Sequence, residues 1–111
     1  MAKEVLVLMS ALLLAATGAW AQADSALIAK GEKTFVGKKC VLCHVIKEKG
    51  GTVGPLARGP DLSTVGAQGD AEWLKAFMKD PKAVNPKAKM VAFKGTEEEL
   101  EALVAYLGSL K

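Results

Sequence analysis

The sequence predicts a small all-α domain built from roughly three to five short helices. Three observations support this prediction. Apolar residues recur at helical spacing in separate segments, and residues that favour helix ends flank those segments. No segment shows the strand–helix–strand order of a parallel sheet. The length of 111 residues suits one domain and not two.

The first two predicted helices flank a loop-forming segment. Residues 25–39 are predicted to form the first helix. Residues 49–69 contain many Gly and Pro residues, which favours a loop. Asp70 can cap the second helix, which should end before Pro81 because proline disfavours helical backbone in the residue before it.

The last predicted helix has the clearest start signal. Thr96 and Glu99 have the spacing of a capping box, in which each side chain accepts a hydrogen bond from the backbone N–H of the other residue. The acidic residues of the first turns suit the positive end of the helix dipole. The following residues form an apolar stripe: Leu100, Leu103, Val104 and Leu107.

Residues 1–23 have the pattern of a secretory signal peptide. A basic residue precedes an apolar run over residues 5–16, and small residues follow in the spacing of a cleavage site. We expect cleavage after Ala23, with Ala21 as the alternative, and export of residues 24–111 to the periplasm. The apolar run is shorter than the ~20 residues of a spanning helix, so we expect no stable membrane insertion.

The charge of the chain is mildly basic and unevenly distributed. The formal net charge is +3. Lysines dominate residues 30–49 and 75–94, whereas acidic residues gather at 97–101. A basic face would favour acidic partners, and a merely solvated surface is the alternative. Scarce aromatics and the lack of a recognised binding motif disfavour a nucleic-acid partner.

Both cysteines and the only histidine fall in one pentapeptide, Cys40-Val41-Leu42-Cys43-His44. This is the attachment pattern of haem c. The two thiols can add to the two vinyl groups of haem, and the three-residue spacing puts both sulfurs on one side of a helical turn. His44 can then coordinate the iron as an axial ligand. A single motif predicts one covalently bound haem c per chain.

Other uses of this pentapeptide are less consistent with the sequence. A structural zinc site needs four ligands, whereas Cys and His residues supply three here. A dithiol–disulfide switch or a plain structural disulfide is conceivable, but the switch is typical of a βαβ fold, and neither requires the adjacent histidine.

The second axial ligand of the iron is predicted to be Met90. No second histidine exists, and only Met78 and Met90 lie beyond the signal peptide. Met78 belongs to an apolar stripe at helical spacing, which is typical of core packing. Met90 follows an irregular Pro-containing segment that can wrap around a haem. Met78, a lysine or water remain alternatives.

Ligation by His44 and Met90 would leave the iron without an open coordination position. Catalysis on a bound substrate needs such a position, so the sequence predicts electron transfer and no enzymatic activity. Thioether ligation also raises the reduction potential relative to ligation by two nitrogens.

The chain resembles the small bacterial class I c-type cytochromes over essentially all of its mature length. Besides the pentapeptide, the matching residues are Gly31 with Phe35, Gly59-Pro60-Asp61-Leu62, Trp73-Leu74, Asn85-Pro86-Lys87-Ala88-Lys89-Met90 and Tyr106-Leu107. The resemblance implies a cytochrome c fold in which the first and last helices cross, with Gly31 and Phe35 meeting Tyr106. It also implies that Met90 is the axial ligand.

The resemblance extends to residues around the haem ligands. It implies that the carbonyl of Pro60 accepts a hydrogen bond from the His44 ring, with Pro55 as the competitor for this role. Trp73 has two possible roles: its ring N–H contacts a haem propionate, or its side chain simply packs in the core.

The predicted function is that of a monomeric one-electron carrier. Its expected partners are a donor complex and a terminal oxidase, a reductase or a photosynthetic reaction centre. Docking is expected at a lysine-rich haem edge formed by Lys38, Lys39, Lys87 and Lys89. The alternatives are a haem-bearing subunit or sensor module of a larger redox complex, and an enzyme such as a peroxidase.

Overall fold

The computed structural model describes residues 24–51 and 58–111. The described residues form five α-helices, a 3-10 helix and one short strand pair, so the all-α fold class is confirmed. In chain order the elements are α1 (24–37), the 3-10 helix Cys40–Leu42, β1 (Val45–Ile46), β2 (Gly50–Gly51), α2 (Val65–Gln68), α3 (Ala71–Lys79), α4 (Pro81–Val84) and α5 (Glu97–Gly108). The predicted signal peptide, residues 1–23, and Pro55 lie outside the described residues.

Helix α5 forms the centre of the hydrophobic core. Thr96 and Glu99 make the predicted capping box, with the Thr96 hydroxyl accepting from the Glu99 N–H at 3.1 Å and the Glu99 carboxylate accepting from the Thr96 N–H at 3.0 Å. Ala102 and Leu103 are fully buried. The cap fixes where the helix begins, and the apolar stripe then packs against α1, α2 and α3.

Helices α1 and α5 approach so closely that only glycine fits at position 31. A Cβ there would lie 2.5 Å from Cβ of Tyr106 and closer still to the carbonyl oxygen of Ala102. One turn further along α1, the rings of Phe35 and Tyr106 pack with centroids 6.1 Å apart. Gly31 and Phe35 therefore meet Tyr106 as the resemblance implies.

Helix α3 packs against α5 through only half of its apolar stripe. Asp70 caps α3 by accepting from the Trp73 N–H at 2.8 Å, as predicted. Leu74 and Met78 are buried, whereas Trp73 remains 46% exposed. The Trp73 ring stacks on Phe77, with centroids 5.2 Å apart and the planes tilted by 20°. Four apolar side chains span more of a helix surface than α5 covers, and this pair lies at the edge of the contact.

Two short elements lie within the segment that the sequence predicts as loop, residues 49–69. Strand β2 pairs antiparallel with β1, so that Val45 faces Gly51 and Ile46 faces Gly50. Helix α2 is held by the end of the chain, because the Gly66 N–H donates to the Leu110 carbonyl at 2.7 Å. Helix α2 depends on a contact with a distant part of the chain, which local patterns do not reveal, whereas β2 belongs to a short hairpin with the strand directly before it.

Candidate functional site

The pentapeptide Cys40–His44 forms a tight turn directly after α1. Lys39 begins it with a left-handed backbone (φ 62°), which is uncommon for a residue with a side chain. The carbonyl of Cys40 then accepts from the N–H groups of Cys43 at 3.1 Å and His44 at 3.0 Å. The turn places the two thiols one helical turn apart and brings the imidazole immediately after them.

The two thiols are free and partly buried. Burial raises the pKa of the Cys40 thiol above its ordinary value, and the neighbouring Cys43 adds to the shift, while a backbone hydrogen bond opposes it. A reactive dithiol needs a lowered pKa because the thiolate is the nucleophile. The environment of Cys40 therefore does not favour a dithiol–disulfide switch.

The His44 ring is oriented by the backbone of Pro60. Its Nδ1 lies 2.9 Å from the Pro60 carbonyl oxygen. Because a carbonyl only accepts, this contact requires the proton on Nδ1 and leaves the lone pair on Nε2. The ring is thus held in the tautomer that can bind a metal through Nε2.

The segment that carries Pro60 is fastened to the motif on both sides. The N–H of Gly59 donates to the Cys43 carbonyl at 2.9 Å, and the N–H of Leu62 donates to the Val45 carbonyl at 2.9 Å. The backbone of Gly59 also lies against the face of the His44 imidazole, since a Cβ there would be 2.6 Å from Nδ1. Gly59 belongs to one of the stretches that match the family, but the contact with the His44 ring was not predicted from it. The position of a glycine directly before Pro60 is the sequence feature that could have indicated this contact.

A side-chain bridge supports the same segment from behind. Asp61 accepts from the N–H of Ser63 at 2.8 Å and from its hydroxyl, and the Ser63 hydroxyl accepts from the Lys47 N–H at 2.8 Å. The hydrogen bonds from Ser63 lower the pKa of the Asp61 carboxyl, so it remains charged at neutral pH. The bridge ties the residues after Pro60 to the chain that follows His44.

Met90 lies in an irregular segment after α4, partly buried against the same core cluster as Cys40. A turn precedes it, in which the Asn85 side chain accepts from the Lys87 N–H at 3.0 Å. After it, the N–H of Phe93 donates to the Met78 carbonyl at 2.8 Å. Met78 itself is only 5% exposed and packs in the core, which is the structural role the sequence predicts for it.

The donor set of these residues fits haem c. Two free thiols, an imidazole with an available Nε2 and a thioether are the groups that haem c attachment and axial ligation require. Cys40 and Cys43 would hold the porphyrin covalently, and His44 and Met90 would ligate its iron. Within residues 24–51 and 58–111, no cluster of three or more His, Cys, Asp or Glu side chains is arranged to hold a metal ion, so a zinc site gains no support.

Trp73 lies at the surface of α3, on the edge of the core. With nearly half of its surface exposed, it is not a simple core residue, although its ring also packs over the backbone of Gly69. A contact between its ring N–H and a haem propionate stays a prediction.

The four lysines expected at the haem edge fall into two groups. The ammonium of Lys38 lies 3.5 Å from the Glu99 carboxylate and 5.8 Å from the centroid of the Phe93 ring. Lys39, Lys87 and Lys89 form no ion pair with any carboxylate of the described residues. Lys38 is therefore tied into the fold, which its position in the sequence does not reveal.

Comparison with known proteins identifies the family. A family model described as cytochrome c matches residues 28–111. Cytochrome c2 of Rhodospirillum rubrum is 33% identical, and the alignment covers 92% of each chain. The chain therefore belongs to the cytochrome c family, whose members are electron-carrying haem proteins with covalently bound haem c. Membership confirms the resemblance stated from the sequence, and no catalytic activity is indicated.

Two further comparisons concern a longer relative and a solved structure. Cytochrome c oxidase subunit 2 of Bacillus subtilis is 31% identical over 99 residues, which is 80% of this chain but 28% of that protein. The chain thus spans little more than a quarter of that relative. The crystal structure of the c-type cytochrome SorU from Sinorhizobium meliloti superposes with a TM-score of 0.58 at 27% identity, covering 78% of this chain and 92% of that one. The cytochrome c fold is thereby confirmed.

Among the residues that the structure describes, no helix combines the length and the apolar content that a membrane span requires.

Proposed function

We propose that the chain is a soluble carrier of single electrons, with one haem c per chain held by Cys40 and Cys43 and ligated by His44 and Met90. The hydrogen bond between His44 Nδ1 and the Pro60 carbonyl carries the proposal, because it reserves Nε2 for the iron. When bound, haem c supplies the one-electron chemistry of its iron.

The residues of the chain would hold the two iron ligands in place and would keep a substrate from binding to the iron. Pro60 and Gly59 restrict the rotation of the imidazole, and the anchored segment around Met90 supplies the second ligand. Two protein ligands leave no position for a substrate, and the same coordination can persist in both oxidation states. Such a site suits electron transfer and disfavours peroxidase-type catalysis.

Docking is proposed at the basic segment 81–96, which contains no acidic residue. Its four lysines form no ion pair with a described carboxylate: Lys82, Lys87, Lys89 and Lys94. Val91, next to Met90, is 80% exposed, so the same basic segment also offers an apolar side chain for contact with a partner. An acidic redox protein would be steered toward this surface by charge.

Export to the periplasm by cleavage of residues 1–23 belongs to the same proposal. The pentapeptide and the apolar amino-terminal run support it, because haem c attachment suits an exported protein. Determining the amino terminus of the purified holoprotein would test it. A protein that begins at Asp24 would agree, and one that retains residues 1–23 would contradict it.

A haem-bearing subunit of a larger complex is the second candidate. The similarity to part of cytochrome c oxidase subunit 2 favours it, since a homologous segment there belongs to a longer subunit. Size-exclusion chromatography of the holoprotein in native extract distinguishes the two. A free carrier elutes at the size of one small domain, whereas a subunit elutes with its complex.

Replacement of Met90 tests the ligation. The Met90→Ala holoprotein should lose the ferric absorption band of thioether–iron ligation and shift its reduction potential downward. Met78→Leu is the matched control, because it removes the other sulfur while conserving core volume. An unchanged spectrum and potential in Met90→Ala would refute the assignment.

A further inference from the structure

The segment that follows Met90 is fastened to the helices through Phe93. The Phe93 N–H donates to the Met78 carbonyl at 2.8 Å. One side of its ring faces the Lys38 ammonium, 5.8 Å from the centroid. The backbone of Gly95 lies against the ring as well, since a Cβ at that position would be 2.8 Å from Cζ. Phe93 is therefore confined by its backbone and by two neighbours of its ring.

The ammonium of Lys38 is itself held in place by Glu99. One carboxylate oxygen of Glu99 lies 3.5 Å from the Lys38 Nζ, and the other accepts from the Thr96 N–H at 3.0 Å. The side chains of Lys38 and Glu99 are only 34% and 31% exposed. In every other ion pair between described residues, at least one partner is more than half exposed. This pair is therefore the most sheltered of them from solvent screening.

A second ion pair joins α1 to α5. Lys30 of α1 pairs with Glu98 of α5, and the exposed fractions of these side chains are 41% and 76%. Among the described residues, the ammonium that lies over the Phe93 ring is that of Lys38 and not that of Lys30. The two pairs therefore separate a general effect on helix packing from an effect on the segment that carries Met90.

We propose that Lys38 is a positioning residue for the Met90 sulfur, acting through Phe93 and the Glu99 carboxylate. The inference rests on the proposed ligation by Met90. Residues outside regular secondary structure open locally at low cost in free energy, so an irregular segment needs such anchors to hold a ligand in place. Lys38 joins three parts of the chain at one point: the end of α1, the first turn of α5 and the segment after Met90.

Competition by imidazole measures how readily the sulfur leaves. Imidazole added to the ferric holoprotein can take the position of Met90 only when the segment opens, so its apparent affinity reports the opening equilibrium. Lys38→Gln should raise that affinity by about fivefold, as expected from losing a sheltered ion pair and a cation–π contact. At about pH 8.5 added imidazole is mostly neutral, so the lost charge of Lys38 should itself have little effect on its binding.

Matched variants identify the cause. Lys30→Gln removes the ion pair with Glu98 and should leave the imidazole affinity unchanged. Glu99→Gln keeps the capping box, because glutamine also fits it, and should act like Lys38→Gln. The double variant Lys38→Gln/Glu99→Gln should then have nearly the same imidazole affinity as either single variant. Lys38→Arg should keep the wild-type imidazole affinity, because a guanidinium can reach both the Glu99 carboxylate and the Phe93 ring.

The outcomes separate this proposal from the ligand assignment. Equal effects of Lys30→Gln and Lys38→Gln, or no effect of either, would overturn the positioning role while Met90→Ala still abolishes thioether ligation. If Met90→Ala itself left the imidazole affinity unchanged, the ligand assignment would fail, and the role of Lys38 would fail with it.

Discussion

The backbone of Gly59 and the imidazole of His44 are in direct contact. A Cβ at position 59 would lie 2.6 Å from Nδ1 and 2.9 Å from Nε2, and closer still to Cε1. The next residue, Pro60, accepts the hydrogen bond from the same ring. Two consecutive residues thus fix the ring, one by steric contact and the other by hydrogen bonding. Glycine is required here for space and not for an unusual backbone angle.

Gly59→Ala should therefore disturb the iron ligation. The added methyl group must displace either the ring or the segment 59–62, and overpacking of this kind costs ~1–3 kcal/mol. We expect a less stable holoprotein with a shifted reduction potential, measured by thermal unfolding and redox titration. Gly37→Ala is the control, because nothing lies within 4 Å of a Cβ there. Wild-type potential and stability in Gly59→Ala would contradict the steric role.

Gly31→Ala should destabilise the fold rather than the ligation. Alanine favours a helix over glycine by up to ~1 kcal/mol, but here its Cβ would collide with the backbone of Ala102 and with Tyr106. Because backbone atoms of α5 cannot move away as a flexible side chain would, we expect a net loss of ~1–3 kcal/mol. Chemical denaturation of the holoprotein measures it. A stability equal to or above that of wild type would show that the helices separate without cost.

The helix ends could be predicted because their signals are local. Asp70 and Thr96 each cap a helix through a residue three positions later, so the pattern is complete within four residues. The pentapeptide with His44 is also complete within itself. Such features need no knowledge of the rest of the chain.

The rest of the site depends on contacts between distant residues. Helix α2 lies in a Gly-rich segment and is held by the backbone of Leu110. Lys38 resembles its neighbour Lys39 in sequence, and only the arrival of Glu99 distinguishes them. The exposure of Trp73 follows from how much of α3 the helix α5 covers. None of these outcomes has a local signal that periodicity or composition could show.

The unpaired lysines should control electron exchange with charged partners. Lys87 and Lys89 flank the approach to Met90 and form no ion pair with a described carboxylate. We expect the reduced Lys87→Glu/Lys89→Glu holoprotein to be oxidised by ferricyanide more slowly than wild type, on the order of tenfold at low salt, because the new carboxylates repel this anion. The same variant should exchange electrons faster with the cationic hexaammineruthenium couple. Stopped-flow absorption measures both rates.

The control for this experiment carries the same change of charge elsewhere. Lys33→Glu combined with Lys47→Glu alters the net charge equally, outside segment 81–96. If both double variants slow ferricyanide equally, net charge alone sets the rate, and no docking surface is defined. A difference between them that disappears at high salt supports the local surface, because added salt screens exposed charges.

The stability of the fold should decline in acid through two carboxylates of α5. The pKa of Glu99 lies below its ordinary value of 4.5, first because of the hydrogen bond from the Thr96 N–H and then because of Lys38. The pKa of Glu97 is lowered mainly by its hydrogen bond with Lys75. A carboxyl whose pKa falls on folding stabilises the fold above the unfolded-state pKa, and the stabilisation disappears as the pH drops through the folded-state pKa. Both contributions should therefore be complete at neutral pH and decline below about pH 4.5.

Salt should separate the two carboxylates. At 1 M salt the Debye length is about 3 Å, which screens the exposed pair of Glu97 with Lys75 but not a hydrogen bond to the backbone. We expect Glu97→Gln to differ from wild type at neutral pH in low salt only. Glu99→Gln keeps the hydrogen bond from the Thr96 N–H but loses the extra strength that a charged acceptor gives it, so it should differ in both low and high salt. In each case the difference should shrink as the pH falls below about 4.5 and through the folded-state pKa, where the wild-type carboxyl also becomes neutral. Urea unfolding of the holoprotein across this grid of pH and salt measures the free energies. A Glu99→Gln effect that vanished at high salt would assign the shift to Lys38 instead of to the helix cap.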